Sequence, residues 1–112
     1  MSQITTHVLD TSKGQPGAGI EIVLQASATG SWEEMGRGIT NSDGRISDLL
    51  PANKVIVPGK YRLVFKTGVY FSNQNTKTFY PQVTIEFETF DSSHYHVPLL
   101  LNPFGYSTYR GS

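Results

Sequence analysis

His94 and His96 stand two residues apart, and the period of a β-strand would place both imidazoles on one face. A pair so spaced suits either metal ligation or acid/base work on a water molecule. A closed metal site would also need His7 and a carboxylate, yet the chain has no cysteine and no carboxylate falls beside these histidines in an obvious pattern. His94 follows Asp91-Ser92-Ser93, where a hydrogen-bonded surface histidine is the plainer reading. His7 lies at the opposite end of the chain, in the middle of a β-branched run. In sandwiches the first and last strands often neighbour each other, and two imidazoles that titrate near pH ~6.5 could then hold and deprotonate a water. Arg45 and Arg110 could bring permanent positive charge to a developing oxyanion. The plainer alternative has Arg45 closing a turn and Arg110 solvated in the tail.

The final residues, Tyr109-Arg110-Gly111-Ser112, are polar and specific in shape where a free end would tolerate almost anything. Ser107, Thr108 and Ser112 carry hydroxyls, but no Gly-x-Ser-x-Gly elbow occurs, so a covalent serine mechanism has little support. Glycines sit singly in turns, with no phosphate-cradling loop. Nine basic and nine acidic residues leave a formal charge of zero with no block of one sign, which excludes electrostatic capture of nucleic acid or of an anionic membrane. The N-terminus has no basic and apolar leader pattern, and no apolar run reaches the ~18 residues of a membrane helix. A cytoplasmic protein is expected, acting on a small molecule or another protein.

These side chains need rigid elements to hold them. At 112 residues the length suits one domain over 1–112, large enough to bury roughly 65% of its unfolded surface. Ile4 to Asp10 reads as a strand, with Thr5, His7 and Leu9 on one face and Ile4, Thr6 and Val8 on the other. Ile20 to Ala26 alternates with Ile20, Ile22, Leu24 and Ala26 inward. Trp32 to Thr40 follows, with Gly36 and Gly38 expected at bulges or close backbone approaches. Asn41-Ser42-Asp43-Gly44 has the composition of a hairpin turn. Tyr61, Leu63 and Phe65 share one face of the clearest strand. Val69 to Thr78 lacks the period of two and leaves room for a short helix. Pro81 to Phe90, Tyr95 to Leu101 and Gly105 to Tyr109 complete about eight strands, which predicts an all-β Greek-key sandwich. Pro98 cannot donate to a ladder, so it marks an edge or a bulge, or its nitrogen points away from a neighbour.

Four stretches together, Thr5-Thr6-His7-Val8-Leu9-Asp10, the turn Gly44-Arg45, the run His94-Tyr95-His96-Val97-Pro98-Leu99-Leu100-Leu101 and the ending Tyr109-Arg110-Gly111-Ser112, resemble the transthyretin-related 5-hydroxyisourate hydrolases over essentially the whole chain. The last tetrapeptide is the most specific part, because it separates the hydrolases from the hormone carriers that share their fold. The resemblance implies a transthyretin-like sandwich with a short helix between the fifth and sixth strands. It implies a homotetramer whose sites lie between dimers, and hydrolysis of 5-hydroxyisourate without metal or organic cofactor. Carried over by motif, His7, Arg45, His96 and Ser112 match the catalytic set. Tyr109 and Arg110 match the substrate-contact segment with His7, Arg45 and Ser112, while His94 is not carried over as catalytic. The rival reading is a non-catalytic carrier of a small aromatic ligand on the same sandwich; a weaker one is a metal-dependent hydrolase using His94 and His96.

Overall fold

The computed structural model describes residues 2–112, which form nine strands and one short helix. In chain order the strands are β1 (Ile4–Asp10), β2 (Gln15–Pro16), β3 (Glu21–Ala28), β4 (Ser31–Ile39), β5 (Arg45–Ile46) and β6 (Gly59–Phe65). Helix α1 (Thr67–Ser72) precedes β7 (Val83–Thr89), β8 (Tyr95–Asn102) and β9 (Gly105–Thr108). The ninth strand relative to the expected eight is the two-residue β2, and without it the helix does fall between the fifth and sixth. The helix begins two residues before the expected Val69 and stops at Ser72, because a tight turn at Asn73–Asn75, with Asn75 at φ 55°, ends it.

Two sheets face each other. One runs β4-β3-β6-β7, all antiparallel. The other runs β2-β1-β8-β9, with β5 also paired to β1. The alternation seen in the sequence sends Ile4 and Val8 of β1, Ile22 and Leu24 of β3, Leu63 and Phe65 of β6, Val83 of β7 and Leu99 and Leu101 of β8 between the sheets, nearly all with no accessible surface. Each such side chain contributes on the order of 1.5–3 kcal/mol by leaving water. The residues alternating with them on β1 and β8, namely Thr5, His7, His96 and Pro98, are thereby turned to the outer face of the second sheet.

The junction of β1 and β8 is parallel, and its register sets Thr5 opposite His96 and His7 opposite Pro98. Pro98 is on an interior strand, so the edge reading gives way to a local explanation. Its carbonyl accepts from Thr108 Oγ1 at 2.7 Å on the β9 side, and its nitrogen points to that same side. There the regular pairing of β9 begins only at Leu99↔Thr108, and the next contact is the isolated bridge of His96 to Gly111. The missing donor falls in that gap of the ladder.

The turn at Asn41–Gly44 is not a hairpin within one sheet but a corner that carries the chain from β4 in the first sheet to β5 in the second. Asn41 Oδ1 accepts from the backbone N–H groups of Asp43 and Arg45, and Gly44, at φ 74°, comes so close to Val8 that a Cβ would lie 2.4 Å from its carbonyl oxygen. Only glycine satisfies both demands. Gly36 answers the expected close approach: a Cβ there would lie 2.0 Å from the Leu49 carbonyl oxygen, and a register shift opposite Leu24/Gln25 bulges β4 beside it. Gly36→Ala is expected to destabilise the protein by about 1–3 kcal/mol, read as a lowered midpoint of denaturant unfolding; an unchanged midpoint would contradict the contact.

The helix is fastened to the site-bearing strand by a buried carboxylate. Burial alone would raise the pKa of Asp10, but hydrogen bonds from the Ser12 hydroxyl (2.5 Å), the Tyr70 hydroxyl (2.7 Å) and the Ser12 N–H, helped by the charge of Lys13, hold it below the ordinary carboxylate range. The stability this group contributes is present above its unfolded pKa and is lost as pH falls through the lower folded one.

Candidate active site

The outer face of the second sheet carries a depression of about 580 Å³ lined by Thr5, His7, Arg45, His94, His96, Tyr109, Gly111 and Ser112, among others. Residues from both chain ends and from the middle meet there because β1 is the shared neighbour of β5 and β8. Arg45 is the register partner of His7 across the antiparallel β1/β5 pair, and Thr5 that of His96 across β1/β8. The rings of His7 and His96 lie 6.2 Å apart between centroids and 19° from parallel. A water or a ring atom of a flat substrate could touch both.

Both imidazoles are half-buried, and both titrate below the usual value. For His7 the causes are burial and then the Arg45 guanidinium; for His96 they are burial, then Arg45, then the other two histidines. Each of these disfavours the cation, so both rings stay neutral at neutral pH, the form a base requires. Arg45 itself is exposed at the mouth of the pocket.

The tail is tied onto this face. The Gly111 N–H donates to the His96 carbonyl at 2.8 Å, and a Cβ on Gly111 would lie 2.7 Å from His96 Cδ2 and 3.0 Å from Pro98 Cγ. Glycine is therefore required for the tail to lie flat against the histidine ring. Gly111→Val is expected to displace His96 and Ser112 and to lower kcat/KM by up to about 10²-fold while the unfolding midpoint hardly changes, since position 111 is only half-buried. Equal losses of stability and activity would point to misfolding instead.

The expected site residues do not all converge. His7, Arg45, His96, Tyr109 and Ser112 share the pocket. Arg110 points elsewhere: its guanidinium stacks 4.4 Å from the centroid of Tyr95 and reaches the His94 carbonyl at 3.5 Å, bordering a second, apolar depression. His94, read from the sequence as incidental, is a wall of the pocket. Its Nε2 lies 2.8 Å from the Thr5 hydroxyl, which also lies 2.7 Å from His96 Nδ1. Thr5 stands in the sequence on the strand face of His7 but without a role assigned to it. The signal for it was its place two residues before His7 on one strand face. Among the described residues no group of three or more histidine and acidic side chains gathers closely enough to hold a metal ion.

The sandwich, the parallel β1/β8 junction and this outer-face pocket define the class, and the family model described as "HIUase/Transthyretin family" matches residues 4–111; the chain belongs to that family. Among its relatives, the 5-hydroxyisourate hydrolase of Salmonella typhimurium is 46% identical over 110 residues, covering 97% of this chain and 80% of that one. The mouse 5-hydroxyisourate hydrolase is 42% identical, covering 99% and 96%. Among solved structures, Klebsiella pneumoniae 5-hydroxyisourate hydrolase superposes with a TM-score of 0.85 at 33% identity, covering 97% of this chain and 98% of the other. Sea bream transthyretin in complex with thyroxine superposes with 0.90 at 28% identity, covering 98% and 95%. The backbone alone thus lies as near this transthyretin as the hydrolase, and the choice between them rests on side chains.

Proposed function

We propose that this protein hydrolyses 5-hydroxyisourate to 2-oxo-4-hydroxy-4-carboxy-5-ureidoimidazoline in urate degradation. The observation that carries this reading is the convergence of His7, His96 and Arg45 on one pocket whose rim is the Tyr109–Ser112 tail. A neutral imidazole, His7 or His96, takes a proton from water as it attacks the ring carbonyl. The other imidazole holds the water or the substrate. Arg45 stabilises the oxyanion of the tetrahedral intermediate with a charge that cannot be lost by deprotonation. Tyr109 and the Ser112 hydroxyl position the flat ring, while Arg110, stacked on Tyr95, steadies the tail that presents them. The reaction consumes only water, and the residues named supply base, charge and orientation without a metal or organic cofactor.

The pocket lies open on a sheet face, and a homotetramer with sites between dimers would close it with a facing subunit, excluding bulk water from the reaction. Exposed Phe90, Phe104, Tyr106 and Tyr109 along the β7 and β9 edges are consistent with subunit contacts. A carrier of a small aromatic ligand is the rival. Two neutral imidazoles and a guanidinium around the same space suit a reacting carbonyl better than an apolar ligand.

The deciding experiment follows the ultraviolet decay of freshly generated 5-hydroxyisourate with and without the protein. Decay accelerated in proportion to protein concentration is expected. Decay at the spontaneous rate, with an aromatic ligand nevertheless bound, would transfer the protein to the carriers.

A further inference from the structure

Thr5 is 6% exposed and its hydroxyl touches two imidazole nitrogens at once, His96 Nδ1 at 2.7 Å and His94 Nε2 at 2.8 Å. A hydroxyl has one proton to give, so it can donate to only one ring and must accept from the other. A neutral imidazole carries its proton on one nitrogen, which links all three groups. In one complete arrangement His96 Nδ1–H donates to Thr5, Thr5 donates to His94 Nε2, and His96 Nε2 is bare. In the other, His94 Nε2–H donates to Thr5, Thr5 donates to His96 Nδ1, and His96 Nε2 carries the proton. The two differ by the shift of protons along a single line. One end of that line is half-buried in the pocket and the other, His94, is exposed to solvent.

We propose that His96, Thr5 and His94 form a proton relay that carries the proton released in each turnover from the pocket to solvent, with Thr5 and His94 acting through His96. This rests on the hydrolase reading. Adding water across a ring C–N bond produces a carboxylic acid that is ionised at neutral pH, so each turnover leaves one proton to dispose of. A proton taken up at His96 Nε2 is balanced by passage of the Nδ1 proton to Thr5 Oγ1, of the Thr5 proton to His94 Nε2, and of the His94 Nδ1 proton to water. Only O–H and N–H bonds change. The charge on the line returns to zero, and the first arrangement is restored with no proton flowing back when each ring swings away from Thr5 and water moves its proton from Nε2 to Nδ1.

The surroundings favour this direction. His7 on β1 and Arg45 on β5 both disfavour a cation at His96. On the His94 side, the Arg110 guanidinium lies beside the His94 carbonyl, and Lys54 lines a shallow, open depression together with His94. Tyr109 and Ser112 line the pocket without joining the line. A proton on His96 is thus pressed outward, and Thr5 is the only hydroxyl that touches both rings among the described residues.

The test compares kcat and KM of the full chain with those of Thr5→Val, Thr5→Ser, His94→Ala and His96→Ala, across pH and at low buffer concentration. Thr5→Val and His94→Ala are expected to lower kcat by about tenfold or more with KM little changed. Thr5→Ser, which keeps the hydroxyl, is expected to restore it. Imidazole added to the medium is expected to raise kcat of His94→Ala saturably, because it takes the place of the missing acceptor, and to leave Thr5→Val unaffected. Wild-type kcat in Thr5→Val and His94→Ala, or a slow His94→Ala that ignores imidazole, would overturn the relay. If His96→Ala is inactive while the other variants match wild type, only the relay falls; if His96→Ala is itself fully active, the assignment of His96 as base falls first.

Discussion

His96→Ala and His7→Ala are each expected to lower turnover of 5-hydroxyisourate by about 10²- to 10⁴-fold, the range of general acid–base catalysis. The two rings are 6.2 Å apart in a common pocket, so in the proposed mechanism they share one water or carbonyl and their effects should not add. A double variant little worse than the worse single one is the specific expectation. The comparison also separates the roles: loss of the base lowers kcat, whereas loss of a purely orienting ring raises KM as well. Both single variants should fold, because each replaces a half-buried side chain on the outer face rather than in the core. Near-unchanged rates in both would remove the histidines from the mechanism.

Arg45→Gln is expected to lower kcat by about 10²- to 10³-fold, the cost of losing one oxyanion donor. It carries a second signature in the pH profile. Burial is the larger cause of the lowered pKa of both histidines, and the Arg45 guanidinium is the next. Activity that needs neutral imidazole is present above the folded-state pKa and is lost as pH falls through it. Removing Arg45 lets both rings hold protons more readily, so the acid limb of kcat/KM should move upward, toward but not beyond the usual value near ~6.5 that burial still opposes. A slow variant with an unmoved acid limb would leave Arg45 a role in binding but not in tuning the histidines.

Strand positions were legible in the sequence to within a residue or two wherever hydrophobic alternation ran for six or more residues, as in β1, β3, β6, β7 and β8. The same alternation set His7 on one strand face with Thr5 and Leu9, and His94 with His96 on one face of another strand; that the faces of His7 and His96 turn away from the core came from the packing of the sheets. Local chemistry misled where a feature depended on what lay across the gap. The Asn41–Gly44 turn has hairpin composition, yet it turns a corner between sheets because Gly44 and Arg45 are paired to β1. Pro98 left open an edge, a bulge or a nitrogen with no neighbour to bond, and the interruption of β9 beside it accounts for the proline on an interior strand. Arg110, grouped with Tyr109 and Ser112 by its neighbours in the chain, is drawn to the face of Tyr95 instead.

What the sequence determined by itself is the sandwich and the placing of His7 with Thr5, and of His94 with His96, on single strand faces, which follow from residue type and period along one strand; beside these stand four motifs that resemble one hydrolase family. The tertiary structure alone decided the register: β1 and β8, some ninety residues apart, run parallel with Thr5 opposite His96. No local propensity encodes that offset. Burying Ile4 and Val8 together with Val97 and Leu99 between the sheets excludes a slip of one residue, which would carry the slipped strand's core side chains outward and turn its histidine inward. That alignment sets a single threonine hydroxyl between His96 and His94, and it makes His94 part of the pocket rather than a neighbour of it.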